Sequence, residues 1–451
     1  MVVVLAKGEL DQIALPSADL PPVADVPAVD LSAPAGSARE AAARALVAAC
    51  EEDGFFRVTG HGVPMELVRA AEAAAAAFFE LPQGEKEVEA PTLGYGSKQI
   101  GGNGDLGWVE YLLLGVTPAG AAVPASSSST LPCAAAAASA TAASSSSAPA
   151  GPLRFRAVVS ACTHTDTSPL AQPETTWSNI TRSTRTLLVV AAWCVTHSFW
   201  QPTSTPFDSH ALAPPIDCCA ARADVPPCRA ARSIDTPWIL IATLQELAPI
   251  THASLGLLDE YTVAMRRMAC AVLELMAEGL GLTGGELARL VARADSDCML
   301  RVNHYPPRPA APAVGAPPNL TGFGEHTDPQ IISVLRSNGT SGLEVARHDG
   351  AWAAVPADGD AFFVNVGDTL QVLTNGRFRS VRHRVVVNSE RSRVSMIFFG
   401  GPPPDEKLAP LPELLVGDGG RSRYREFTWT EFKASGCRTR LEDDRLARFE
   451  N

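Results

Sequence analysis

The sequence has no long apolar run and no excess of positive charge. Its first apolar run, residues 2–6, is too short for the core of a signal peptide. Residues 186–195 fall well short of the roughly 20 residues that span a bilayer. The formal net charge of −12 argues against a nucleic-acid or anionic membrane surface. We therefore expect a soluble intracellular protein, cytoplasmic with the nucleus left open, that binds neither nucleic acid nor membrane.

Compact cysteine spacing is also absent. The ten cysteines are scattered over 451 residues without the regular intervals of a disulfide framework. A chain of this length with 46% hydrophobic residues can bury a large core without cross-links. We therefore predict free thiols, as is usual for an intracellular protein.

Two internal stretches differ in composition from the rest of the chain. Residues 118–152 are almost all Ala, Ser and Pro; such residues bury too little surface to offset the entropy of ordering, so we predict disorder there. Residues 155–256 hold five cysteines, four histidines and four tryptophans but no lysine, and they show little periodicity. We interpret this second stretch as an insertion that arises from a translated intron or an erroneous gene model.

A zinc module is the alternative interpretation of the insertion. Its candidate ligands would be His197, His210, Cys218, Cys219 and Cys228. Two adjacent cysteines do not match the short CxxC-type spacing of structural zinc sites, so the sequence favours the insertion without a metal.

Two histidines and one aspartate have the spacing of a metal site. His326 and Asp328 lie two residues apart in EHTD at 325–328, and His383 lies in VRHR at 381–384. Alternate side chains of a strand leave the same face, so the first two can reach one ion while the third comes from a strand folded beside them. Two imidazoles and one carboxylate form the facial triad that holds non-haem Fe(II) with open coordination positions.

A second group of polar residues follows on neighbouring predicted strands. Arg393 and Ser395 share one strand face, and Tyr305 offers a phenol from an upstream strand. A guanidinium is the preferred partner of a carboxylate because its N–H groups match the two oxygens. An iron site next to such a clamp predicts a dicarboxylate co-substrate.

The surrounding sequence predicts an all-β core with flanking helices, a jelly roll (double-stranded β-helix) preceded by an N-terminal helical region. Turns are expected at Asp349-Gly350 and Asn375-Gly376. Strands are expected at residues 26–32, 54–59, 330–335, 343–345, 352–355, 361–366, 384–387 and 393–399. Helices are expected at residues 37–52, 64–81 and 424–434, with a long helix at 257–280 that braces one face of the barrel.

These motifs resemble the plant Fe(II)/2-oxoglutarate-dependent dioxygenases. The HxD and His of the triad, the RxS pair and the NxY element at 303–305 occur in that family's order. Three stretches resemble the gibberellin 2-oxidase subgroup nearly residue for residue: GWVEYLLL at 107–114, GEHTDPQIISVLRSN at 324–338 and NVGDTLQVLTNGR at 365–377.

The resemblance implies both cofactors and an activity. It implies that His326, Asp328 and His383 bind Fe(II), and that Tyr305, Arg393 and Ser395 bind 2-oxoglutarate, which is consumed together with O2. Ascorbate would serve as a reductant that keeps the iron in the Fe(II) state. The implied reaction is the 2β-hydroxylation of a gibberellin, with nineteen-carbon gibberellins favoured, which inactivates the hormone.

Five segments follow from this interpretation. We predict an N-terminal dioxygenase region at 1–115, a low-complexity linker at 116–154, the insertion at 155–256, which we expect to be disordered, the bracing helix and barrel at 257–435, and a tail at 436–451. Deleting the insertion would join Leu153-Arg154 to Leu257 and restore the family's helix.

Two functional alternatives stay open. One is a related enzyme, such as a gibberellin 3- or 20-oxidase or a flavonoid oxygenase; the other is a non-catalytic product of the insertion.

Other conspicuous residues receive structural interpretations. The glycine-rich residues 94–104 lack the strand and helix of a nucleotide fingerprint, so we predict a flexible loop at the mouth of the cavity. His61 is expected in a turn, His304 on the strand face away from the site, and His348 exposed. Arg382 and Arg384 are expected to form surface ion pairs.

Overall fold

The computed structural model describes residues 6–15, 21–100, 103–116, 122–124, 252–283, 285–308, 319–415 and 419–451. All of these residues belong to one unit of the chain. The predictions for residues 125–251, which include most of the disordered stretch, the candidate zinc ligands and nearly all of the insertion, lie outside the described residues.

The described strands form two large sheets and one small pair. The larger sheet has the order β2-β3-β12-β9-β14-β7-β5-β4, with β6 paired to β5, and the smaller one the order β1-β8-β13-β10-β11, while β15 pairs with β16. The strands are β1 (Ala14–Leu15), β2 (Ala28–Asp30), β3 (Phe55–Thr59), β4 (Gly96–Gln99), β5 (Leu106–Val116), β6 (Ala122–Pro124), β7 (Met299–Tyr305), β8 (Asn319–His326), β9 (Ile332–Ser337), β10 (Leu343–Ala346), β11 (Trp352–Ala354), β12 (Phe362–Val366), β13 (His383–Val386), β14 (Arg393–Gly400), β15 (Lys407–Leu408) and β16 (Phe427–Thr428).

The two large sheets face each other across a shared core. Leu343 and Val385 of the smaller sheet cluster with Leu335, Phe363 and Ile397 of the larger sheet. Apolar residues from two sheets that interdigitate in this way form a sandwich or barrel. The predicted jelly roll is confirmed.

Strand β14 explains how the larger sheet serves two purposes. Its alternate residues Val394, Met396 and Phe398 join the core on the helical side. Arg393 and Ser395 leave the opposite face and line a cavity between the sheets. The period of two in a strand therefore separates packing residues from candidate site residues.

Helices cover the outer face of the larger sheet. The longest, His252–Leu280, is the predicted bracing helix, and its buried Tyr261, Met265, Met268 and Val272 follow helical spacing. The other α-helices are Lys7–Gln12, Ser37–Glu52, Met65–Phe79, Gln83–Leu93, Arg289–Ala292, Asp368–Leu373 and Trp429–Gly436, and 3-10 turns lie at Pro412–Leu414 and Leu446–Arg448. Among the described helices, none is both long and apolar enough to cross a membrane.

Several element boundaries differ from the prediction. The C-terminal helix begins at Trp429 rather than at residue 424, because the Thr428 side chain caps it by accepting a hydrogen bond from the Glu431 N–H. The bracing helix begins at His252, five residues before Leu257, so the prediction of disorder is wrong for residues 252–256 at the end of the insertion. The short helix Asp368–Leu373 was not predicted; a helix of six residues shows too little periodicity to be detected.

Two stretches that were not predicted as strands also depart from prediction. Ala122–Pro124, predicted to be disordered, pairs with residues 114–116 of β5, and Gly96–Gln99, predicted as part of a loop, pairs with residues 106–111 of the same strand. Backbone hydrogen bonds stabilise both segments whatever their composition.

Of the described cysteines, Cys50, Cys270 and Cys298 are free thiols. Cys437 is disulfide-bonded, so the free-thiol prediction is wrong for that residue.

Candidate metal and co-substrate site

The two histidines predicted to bind a metal lie opposite each other on neighbouring strands. His326 ends β8 and His383 begins β13, and the two residues are directly paired in the antiparallel register. Their ring centroids lie 4.2 Å apart. Asp328 lies two residues beyond the end of β8, not within the strand as predicted, and the turn brings its carboxylate back to the same point.

The ligand atoms of these three residues converge. One atom from each lies within 4.8 Å of the other two. Asp328 Oδ1 is 3.7 Å from the Nε2 atom of His326 and 3.7 Å from that of His383. Two imidazole nitrogens and one carboxylate oxygen at such separations could hold one first-row transition metal ion.

Hydrogen bonds leave the converging atoms free to coordinate. His326 Nδ1 lies 2.8 Å from the Gly324 carbonyl oxygen and His383 Nδ1 3.2 Å from that of Val381, which places the ring proton on Nδ1 and the lone pair on Nε2. Asp328 Oδ2 accepts hydrogen bonds from Ser333 Oγ at 2.6 Å and Asn365 Nδ2 at 3.0 Å. Oδ1 is therefore the carboxylate atom that faces the imidazoles.

The electrostatics favour the forms that bind metal. Burial, and then the neighbouring His383, lower the pKa of His326 well below its usual value. Burial alone would raise the pKa of Asp328, but the two histidines and the hydrogen bonds from Ser333 and Asn365 lower it below its usual value. Near neutral pH His326 is an uncharged imidazole and Asp328 a carboxylate, as metal coordination requires.

The three residues of the predicted carboxylate clamp also meet. Arg393 of β14 pairs in register with Tyr305 of β7, and Ser395 follows on the same face. Arg393 is 3% exposed, and its Nε and Nη1 atoms have no hydrogen-bond partner among the described residues. A buried guanidinium without a partner is costly, so this one is suited to receive an anion.

All six residues line one cavity of about 150 Å³ between the sheets. Its walls are largely apolar, with Phe323, Leu335, Leu343, Val385 and Ile397 among the lining residues. The cavity therefore combines a few polar groups with an apolar surround, which is typical of a site for a small organic molecule.

Comparison with known proteins identifies the family. The profile of the 2OG-Fe(II) oxygenase superfamily matches residues 296–402, and that of the non-haem dioxygenase in morphine synthesis N-terminal domain matches residues 26–130. The chain is 37% identical to gibberellin 2-beta-dioxygenase 1 of Pisum sativum over 94% of this chain and 90% of the relative. It is 36% identical to gibberellin 2-beta-dioxygenase of Phaseolus coccineus over 100% of this chain and 98% of the relative. The chain belongs to the 2OG-Fe(II) oxygenase superfamily, among the gibberellin 2-beta-dioxygenases.

Solved structures agree on the fold. The crystal structure of JOX2 in complex with 2OG, Fe and JA superposes with a TM-score of 0.60 at 21% identity, over 98% of this chain and 93% of that one. The crystal structure of the dioxygenase for auxin oxidation in rice gives a TM-score of 0.55 at 22% identity, over 95% of this chain and 100% of that one. These likenesses establish the jelly roll of the superfamily. As in other members of this superfamily, the cofactors of the chain are Fe(II) and 2-oxoglutarate.

The C-terminal segment, predicted only as a tail, contributes to the cavity of this dioxygenase. Leu441 and Arg445 line the cavity. Arg445 Nη1 donates to the Thr327 carbonyl oxygen at 2.7 Å across 118 residues of sequence and lies 3.7 Å from Asp368 Oδ2. No local pattern signals a contact over such a separation, so sequence reasoning missed it.

Ser333 and Asn365, which position Asp328, were also missed. Both lie in predicted strands whose neighbouring residues are mostly apolar, and both are at most 2% exposed. A polar residue in a buried strand needs a hydrogen-bond partner, and that was the available signal.

Two other histidines and one of two flanking arginines behave as predicted. His304 points away from the cavity and contacts Glu110 and Ser392. His348 is exposed. Arg382 forms a half-exposed ion pair with Glu325 at 2.8 Å, as expected, whereas Arg384 pairs with the buried Glu344 at 2.7 Å, so the prediction of a surface pair is wrong for Arg384.

Proposed function

We propose that the chain 2β-hydroxylates gibberellins in a reaction that requires Fe(II), 2-oxoglutarate and O2. The observation that carries the proposal is the convergence, in one cavity, of two imidazole nitrogens, a carboxylate oxygen and a buried guanidinium without a partner. The names of the curated relatives support gibberellin as the substrate.

In this proposal His326, Asp328 and His383 hold the iron. Their free Nε2 and Oδ1 atoms are a donor set that suits Fe(II) and leaves coordination positions open. Hydrogen bonds from Ser333 and Asn365 hold the Asp328 carboxylate, and backbone carbonyls hold both imidazoles, so the ligands are oriented before the metal arrives.

Arg393, Ser395 and Tyr305 bind the distal carboxylate of 2-oxoglutarate. The guanidinium pairs with it, and the hydroxyl groups of Ser395 and Tyr305 donate hydrogen bonds to it. When bound, the iron would supply the activation of O2, with one oxygen atom entering succinate as 2-oxoglutarate loses CO2 and the other entering a C–H bond of the gibberellin as a hydroxyl. The protein orients both organic molecules, and the apolar walls exclude water.

Product analysis tests the proposal. Purified full-length protein is incubated with Fe(II), 2-oxoglutarate and a panel of gibberellins, and products are identified by mass spectrometry together with succinate release. We expect 2β-hydroxylated products in amounts equal to the succinate formed. Hydroxylation at another position, or turnover only with flavonoids, would assign the chain to a related dioxygenase instead.

A shortened form tests the non-catalytic alternative. A chain that lacks residues 155–251 keeps the complete bracing helix, which begins at His252. If only the shortened form releases succinate, the full-length chain is inactive although its site residues belong to the family.

A further inference from the structure

Arg301 is a second buried arginine in the cavity. It lies on β7, 9% exposed, and lines the same space as the candidate iron and 2-oxoglutarate residues. Its guanidinium carbon lies 4.0 Å from the centroid of the Tyr111 ring and 5.0 Å from that of Phe323. The Arg301 cation therefore lies near two aromatic rings, at a place where the proposed iron chemistry does not require a charge.

The charge of Arg301 has no counter-ion among the described residues. Its Nε donates to the Asn303 amide oxygen at 2.7 Å, and its Nη2 is buried without a partner. Burial lowers the pKa of Arg301 from its usual value, and no carboxylate offsets that effect. By contrast, Arg445, the third arginine of the cavity, lies 3.7 Å from Asp368. Since a buried charge is costly unless it is paired, the position of Arg301 indicates a bound anion.

The charges of the loaded cavity call for one more anion. Arg445 and Asp368 offset each other, which leaves Arg301 and Arg393 as cations and Asp328 as an anion. Fe(II) adds two positive charges and 2-oxoglutarate two negative ones, so the loaded site retains one positive charge. A monocarboxylate would neutralise it.

Arg301 is also displaced along the sheet from the co-substrate clamp. Tyr305 pairs with Arg393, whereas Arg301 pairs with Ile397 in the same register. Four residues of strand separate the two backbone positions by roughly 13 Å at about 3.3 Å per residue. In the function proposed above, the five-carbon 2-oxoglutarate would bind between the metal ligands and Arg393, so an anion at Arg301 would belong to another molecule.

We propose that Arg301 binds the carboxylate of the organic substrate and thereby orients it over the iron. Gibberellins are carboxylic acids, and this assignment rests on the function proposed above. Arg301 thus acts as the residue that distinguishes an acidic substrate from its neutral analogue.

Equilibrium binding to the full-length protein tests the assignment. A gibberellin and its methyl ester are titrated by calorimetry, without oxygen, into protein loaded with Fe(II) and 2-oxoglutarate. We expect the wild-type protein to bind the acid more tightly than the ester by about 30-fold or more, the range for a buried charge pair. Arg301→Gln should abolish that preference and leave the affinity for 2-oxoglutarate unchanged. Arg301→Lys should retain part of the preference, and it carries the test if the Gln variant does not fold.

Arg425→Gln is the matched control, because Arg425 also stacks on an aromatic ring, that of Phe449, but does not line the cavity. It should keep the full preference for the acid. The assignment is overturned if wild-type protein binds acid and ester alike, or if Arg301→Gln keeps the preference or weakens 2-oxoglutarate binding instead. If wild-type protein binds neither the acid nor the ester, the gibberellin function fails together with the assignment; binding of both alike leaves the function intact.

Discussion

Replacing Lys86 with methionine should destabilise the protein and disturb the co-substrate clamp. Lys86 and Glu110 are fully buried, and Lys86 Nζ lies 2.8 Å from Glu110 Oε2 and 3.1 Å from the Phe79 carbonyl oxygen. The same carboxylate accepts a hydrogen bond from the Tyr95 hydroxyl at 2.9 Å and lies 2.5 Å from His304 Nδ1. Lys86→Met therefore leaves a carboxylate buried with only two of its three side-chain partners.

The magnitude follows from that remaining pairing. Breaking a buried ion pair by removing one partner costs roughly 3 to 5 kcal/mol, and the two surviving contacts place the expected loss near the lower end, about 3 kcal/mol. At about 2 °C per kcal/mol for a large domain, the unfolding midpoint should fall by roughly 6 °C. Since His304 and Ser392 adjoin Tyr305 and Arg393 and contact each other at 2.5 Å, the KM for 2-oxoglutarate should also rise.

Thermal and denaturant unfolding measure the loss, and two further variants interpret it. Lys98→Met removes a half-exposed pair with Glu9 and should cost no more than about 1 kcal/mol. The double variant Lys86→Met with Glu110→Gln removes both charges and should recover part of the stability lost by Lys86→Met alone. A loss below about 1 kcal/mol for Lys86→Met, or a double variant no more stable than Lys86→Met alone, would refute the reasoning.

Three other substitutions test the site itself. Ser333→Ala removes a hydrogen bond to the metal-facing carboxylate, so iron affinity measured by metal titration should fall about 10- to 100-fold, and an unchanged affinity would contradict the proposed ligand. Arg393→Gln should raise the KM for 2-oxoglutarate by about 30-fold or more while iron affinity is kept, and an unchanged KM would remove Arg393 from the clamp. Gly367→Ala would place a Cβ 1.9 Å from the Gln330 carbonyl oxygen, beside the proposed iron ligand Asp328, so stability and iron content should both fall. Gly84→Ala, with nothing within 4 Å, is the control and should be neutral or slightly stabilising.

The parts of the site that lie within strands could be predicted from the sequence. Arg393 and Ser395 share a face because they are two residues apart in β14, and Tyr305 was expected from a neighbouring strand, which β7 is. His383 was expected beside His326, and the register pairs them directly. A strand fixes the direction of alternate side chains, so spacing alone is sufficient there.

The residues that depend on chain reversals could not be predicted in the same way. Asp328 lies after the end of β8, and its carboxylate is oriented by Ser333 and Asn365 from β9 and β12. Arg445 reaches Thr327 from the far end of the chain. Such contacts are set by tertiary packing, which leaves no periodic signal in the local sequence.

The position of the predicted insertion relative to the bracing helix bears on whether the full-length chain can be active. The helix begins at His252, and Leu258 and Tyr261, its first buried residues among those whose burial the structure describes, lie six and nine residues further on, about two turns. They pack in the same core as Val394 and Met396, whose strand carries Arg393 and Ser395 on its other face. These buried residues of the packed face that supports the clamp therefore begin after residue 256, where the predicted insertion ends. Because none of them belongs to the insertion, the order of the segments favours a site that forms in the full-length chain, and the succinate comparison with the shortened form measures how far that holds.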